Sequence, residues 1–155
     1  MRPVLTRLER RLRRGDEGNA VVEFLGVTLV LLLPLVYLVL VVSRLEAAAF
    51  AVEGAAREAS RVFVAADDEQ QATARAIAVT GVALADQGIH DDPAHAIAFD
   101  CAATRCLTPG SEVAVTVAVR VPLPFVPTWA RSVVPLEVPV SARHVAVVDR
   151  FREAG

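Results

Sequence analysis

The chain has 155 residues and a mass of 16.5 kDa, enough for one modest domain with an appendage and too little for a multidomain enzyme. Hydrophobic residues make up 54% of it while aromatics are only 5%, so the apolar excess is aliphatic, and it is concentrated in one place. From Phe24 to Val42 the sequence reads FLGVTLVLLLPLVYLVLVV, nineteen residues without a charge, which excludes a freely soluble cytoplasmic enzyme as the natural reading. At a rise of about 1.5 Å per residue this run covers roughly the 30 Å hydrocarbon core of a bilayer.

The net charge of -2 hides an asymmetry, and every one of the sixteen basic residues is arginine. Six arginines (Arg2, Arg7, Arg10, Arg11, Arg13, Arg14) stand in residues 1–18 against three acids (Glu9, Asp16, Glu17), a local net of +3. Beyond Val42 ten arginines face fourteen acids, a net of -4. The positive-inside rule then places the N-terminus in the cytoplasm and the C-terminal body across a cytoplasmic membrane crossed once. An acidic exported body without a basic patch argues against nucleic acid as a partner.

Residues 1–18 form a basic leader, weakly helical around Leu5, Leu8 and Leu12 and punctuated by Gly15 and Gly18. A long helix is expected to begin after Gly18, with Pro34 kinking rather than ending it. The transmembrane part is assigned to residues 19–43. An amphipathic continuation follows, because Leu45, Ala48, Ala49, Val52, Ala55, Ala56, Ala59, Val62 and Phe63 recur at spacings of three and four while Glu46, Glu53, Arg57, Glu58 and Arg61 fall elsewhere. A helix continuous over residues 20–65 extends on the order of 70 Å.

Asp67, Asp68 and Glu69 suit the start of a second helix running through Asp86, with Gly88 as its stop. Residues 44–88 therefore form an exported helical region, and residues 89–155 a small β-rich one. Ile97, Phe99 and Cys101 fall on one side of a short strand, and Pro109-Gly110 makes a turn. EVAVTVAVRV, residues 112–121, alternates with Val113, Val115, Val117, Val119 and Val121 on one face, the pattern of a half-buried strand. PLPFVPTWARSVVP is a proline-interrupted connection in which Trp129 anchors a loop or marks a contact surface. Residues 136–148 form another strand, and Pro139 puts it at an edge or a break. The expected fold class is α+β: a long N-terminal transmembrane helix with an amphipathic extension, a second helix and a small antiparallel β-sheet.

Cys101 and Cys106 are the only cysteines, with four residues between them in DCAATRC. In an oxidising compartment a disulfide is the favoured pairing. A zinc site wants about four Cys or His ligands, and a redox motif has two residues between its cysteines. His90, Asp91, Asp92 and His95 can be drawn as a metal cluster, but a solvated loop explains them better, as helix initiation does Asp67–Glu69. No phosphate loop, nucleophile elbow or zinc-protease pair is present, so neither an enzyme nor a cofactor is expected.

Glu23 carries the most information. A carboxylate costs about 2.5–3.5 kcal/mol at a membrane centre and less near an interface, where headgroups and the positive end of the helix dipole tolerate it. Its setting is a basic leader ending in Gly18, then Asn19, Ala20, Val21 and Val22, then Glu23 and Phe24, then the apolar run. This constellation resembles the processing site of type IV pilin-like precursors, in which a prepilin peptidase cuts after a glycine and a glutamate stands five residues beyond. The Glu23-Phe24 pair is similar to the glutamate-aromatic pair of Flp-type pilins. With RRGDEGNAVVEF, the span, the alanine-rich AAREASR helix and the late strands around VRVPLPF, residues 14–148 resemble the TadE-like family of minor pilins or pseudopilins.

The resemblance implies cleavage between Gly18 and Asn19, with Glu23 as the fifth mature residue. It also implies the peptidase, other pilin or pseudopilin subunits and a pilus assembly machinery as partners, with a surface pilus as a further location. The large exported body departs from a main structural pilin and points to a minor component. In a filament an acid near the new N-terminus can pair with a neighbour's α-amino group and set axial register. The competing readings are a signal-anchored exported binding domain without processing, and signal-peptidase cleavage near Ala49, Phe50 and Ala51. Nineteen apolar residues exceed the 7 to 15 typical of a signal core, which weighs against the latter.

Overall fold

The structure, a computed structural model, describes residues 3–124 and 137–151, with side chains from Ala20 onward. It contains α1 (Pro3–Val64), α2 (Glu69–Asp86), α3 (Pro93–Ala96), β1 (Ile97–Cys101), β2 (Glu112–Pro122) and β3 (Glu137–Val147). The chain divides into two compact units, Met1–Leu40 and Val41–Gly155. The class is α+β with a candidate membrane helix.

The described residues of the first unit all lie on α1. The expectation that the helix begins after Gly18 is corrected, since α1 runs through Gly15 and Gly18 back to Pro3. Two isolated glycines cost about 1 kcal/mol each without breaking a helix, Leu5, Leu8 and Leu12 keep helical spacing, and Pro3 is tolerated where the first turn needs no N–H donor. Pro34 also lies inside α1. The apolar run makes this a helix long and apolar enough to cross a membrane, and no part of that window is buried within the chain.

In the second unit, α1 and α2 pack on one face of a three-stranded antiparallel sheet ordered β1-β2-β3. The register pairs Phe99 with Val115 on one side of β2 and His144 with Val115 on the other. The alternation of β2 buries Val113, Val115, Val117, Val119 and Val121, as the period-2 pattern predicts. These valines share one core with Ala48, Ala51, Val52, Ala55, Ala56, Ala59 and Phe63 of α1 and with Ala72, Ala76 and Leu84 of α2. Phe63 stacks on Phe99 of β1, ring centroids 4.7 Å apart. The helical stripe is shifted from its expected position: Ala49 faces outward and Ala51 is buried. Both are alanines, so spacing alone offers two nearly equivalent stripes.

Local signals set the ends of the elements. Asp68 caps α2, accepting from the Gln71 N–H at 2.8 Å, and Gly88 leaves the helix at φ +69°, a conformation open to glycine. The short α3 is an element beyond those expected. Asp92 caps it and Pro93 occupies its first turn, the residue pair most suited to starting a helix. Gly110 turns the chain at φ +76° between the Cys101–Cys106 loop and β2. Strand β3 lies at the sheet edge, where Pro139 is tolerated. Most of the proline-rich connection, including Trp129, lies outside the described residues.

Candidate assembly segment and its supporting domain

Gly18 and Asn19 lie on the helical backbone of α1, and Glu23 and Phe24 follow in the same helix. Glu23 is exposed and takes part in no hydrogen bond or ion pair among the described residues, while Phe24 is 69% exposed. Gly26, one turn on, has no atom within 4 Å of where a Cβ would stand. The structure thus brings Gly18, Asn19, Glu23 and Phe24 onto one continuous helical segment without enclosing any described side chain of the group. The chemistry open to it is that of contact: an unpaired carboxylate beside a bare aliphatic surface can meet a cationic partner in an apolar setting, where such a pair is strong and its rupture costly.

The Ala49-Phe50-Ala51 position is also helical, and Ala51 is 4% exposed, inside the core.

The cysteines form a disulfide, Cys101 to Cys106, with Cα atoms 5.1 Å apart. Its loop is tied to α2 by a contact the sequence did not announce: the Cys106 N–H donates to Glu69 Oε1 at 2.7 Å. Glu69 therefore serves in place as a tether for the loop, and Asp68 as a cap, while Asp67 N–H lies 3.5 Å from Gln71 Oε1. Another contact absent from the sequence reading joins α1 to the edge strand. Ser60, fully buried, donates from Oγ to the Arg57 carbonyl at 2.8 Å and lies 2.8 Å from His144 Nδ1. With the hydroxyl proton on Arg57, the imidazole Nδ1–H donates to Ser60. The alternation of β3, which turns Val140, Ala142 and His144 to the inner face, was the signal that could have found it.

At α3 the His95 Nδ1 and Asp92 Oδ2 atoms are 2.9 Å apart. The Ala94 N–H first, and then His95, hold the Asp92 carboxyl below its ordinary value. His90 and Asp91 do not join them: among the described residues no group of three or more His, Cys, Asp or Glu side chains is placed to hold a metal. On α1, hydrogen bonding to Arg61 lowers Glu58 and raises its partner, as an exposed surface ion pair does.

Compared with known proteins, the chain matches no family model, no curated protein and no solved structure.

Proposed function

We propose that the chain is a membrane-anchored TadE-like minor pilin or pseudopilin that takes part in assembling a tight-adherence, Flp-type pilus and acts by helix packing rather than catalysis. The observation that carries this reading is Glu23: an exposed carboxylate without a described partner, at the leading edge of a bare apolar helix and five residues after a glycine that ends a basic leader. In a simple anchor that charge is a burden to insertion. In an assembly of such helices it becomes the group that pairs with a neighbour's freed amino terminus. The leader stays in the cytoplasm, the body is exported, and the partners are a prepilin peptidase, other pilin or pseudopilin subunits and their assembly machinery.

The test is N-terminal sequencing with intact mass of membrane-extracted protein. A new N-terminus at Asn19 is expected, and Gly18→Leu should leave the precursor uncut because the peptidase must accommodate the chain closely there. Glu23→Ala should still insert and be cleaved, yet lose co-purification with other subunits. An unchanged mature mass in Gly18→Leu overturns the processing step, and normal assembly with Glu23→Ala overturns the role of the carboxylate. A second reading, an unprocessed signal-anchored binding domain, draws on a cavity of about 340 Å³ in the second unit, a volume at the lower end for ligand sites.

A further inference from the structure

Among the described residues the sheet ends on β1 and β3, and both are antiparallel to β2, so they run parallel to each other. Two backbone bonds show which groups face outward. The Val148 N–H donates to the Ser111 carbonyl and the Ala102 N–H to the Glu112 carbonyl, so even-numbered residues of β1 and β3 turn their N–H and C=O groups toward β2. Odd-numbered residues turn theirs away from the sheet: Ile97, Phe99 and Cys101 on one margin, Ser141 and Arg143 on the other. Among the described residues no hydrogen bond engages these outward groups. Pro139 stands in the same row without a donor, so registers that need one there are weakened.

The two margins match. On the side of the sheet that carries the core, Phe99 and Cys101 of β1 and Val140 and Ala142 of β3 are only half-buried. On the other side β1 presents exposed Asp100 and β3 exposed Arg143. Within one chain these charges meet diagonally across β2, because Arg143 lies level with Ala98, and Asp100 with Val145. When β1 of a second copy is laid along β3 with Asp100 directly opposite Arg143, Ile97 falls on Val140 and Phe99 on Ala142. In that register Ser141 and Arg143 donate to the second copy's Ile97 and Phe99 carbonyls and accept from its Phe99 and Cys101 N–H groups. Pro139 is asked only for its carbonyl.

We infer that copies of the chain associate head to tail, the β1 margin of one adding in parallel to the β3 margin of the next, with Arg143 facing the neighbouring copy's Asp100. Such a contact closes into a ring or extends as a row. Parallel margins suit copies that all point the same way, as copies anchored in one membrane do. That common orientation rests on reading Phe24–Val42 as a span; the match of the margins does not.

The experiment treats the full chain in phosphatidylcholine vesicles with a short bifunctional thiol reagent. Ser141→Cys with Ala98→Cys, opposed across the contact but separated by β2 within one chain, should give a ladder of multimers. Ser141→Cys alone, and Val147→Cys with Ala98→Cys, should give at least tenfold less. Arg143→Asp and Asp100→Arg, each added to the matched pair, should each reduce the ladder at least tenfold with unchanged circular dichroism. Mixing those two proteins should restore it, since each then meets the opposite charge on its neighbour. The pair within each chain stays broken, so a purely intrachain role cannot produce that rescue. Equal crosslinking by matched and mismatched pairs, or no rescue on mixing, overturns the contact, and a dimer from Ser141→Cys alone overturns its head-to-tail arrangement. The uncut Gly18→Leu protein should form the same ladder, which separates this contact from the processing step. Release from vesicles by alkaline carbonate overturns the common orientation, while the mixing test in solution still judges the margins.

Discussion

Helix α1 presents two kinds of apolar surface. In the first unit Leu29, Leu31, Leu33 and Leu35 are more than half exposed, with nothing among the described residues burying them. In the second, Ala48, Ala55, Ala56, Ala59 and Phe63 are almost fully covered by valines of the sheet. The large aliphatics are bare and the small ones are buried, the reverse of what hydrophobicity per residue would suggest. The difference is one of partner. Leucine suits a surface that meets a fluid or an unspecified neighbour, whereas alanine lets a helix backbone approach a pleated sheet whose own β-branched side chains fill the space.

The sharpest way to break that contrast is to cut one large side chain from each surface. Phe63→Ala removes a fully buried ring and its stack on Phe99, and should destabilise the second unit by about 3–5 kcal/mol in denaturant titrations of the detergent-solubilised chain. Leu33→Ala, on the bare surface, should leave that transition within about 0.5 kcal/mol of wild type. Equal losses from the two substitutions would mean that the apolar run is part of the same core.

A smaller effect is expected at the Cys101–Cys106 bridge. Its loop is short, so opening it should cost no more than about 2–3 kcal/mol, and thiol labelling without reductant should modify neither cysteine. Labelling of both would remove the bridge from the account of the second unit.

The smallest is the acid response of α3. A carboxyl whose folded pKa is lowered adds stability above its ordinary value and loses it as pH falls through the folded one. Asp92 should therefore titrate below 3.8 in a carboxyl-resolved NMR experiment, and the Ala94 amide shift should follow it. In Asp92→Asn the amide should lose that acid transition. A midpoint at the ordinary value would detach the cap from the folding of this turn.

These elements differ in how openly the sequence announced them. The valine alternation of β2 and the Asp68 and Gly88 signals around α2 are local patterns that the fold follows, and so is the stripe from Ala48 to Phe63 save that Ala51 takes the buried place expected of Ala49. The helical course through Gly18 was not legible, because a glycine weakens a helix without ending one and only the absence of a stronger breaker decides. Ser60 and His144 are 84 positions apart, and Glu69 and Cys106 are 37 apart, so their contacts exist only once the sheet has docked. Of the candidate assembly segment, residue identity and spacing were fully visible, since Gly18 to Phe24 is contiguous.

Among the described residues strand β3 offers eleven residues along the margin of the sheet, and a margin of that length is an invitation to any extended chain to add itself by backbone pairing. Pro139, third in the strand, lacks the N–H that such an addition would need at one position. A blunted margin keeps chance encounters between copies of the chain from growing into fibrils.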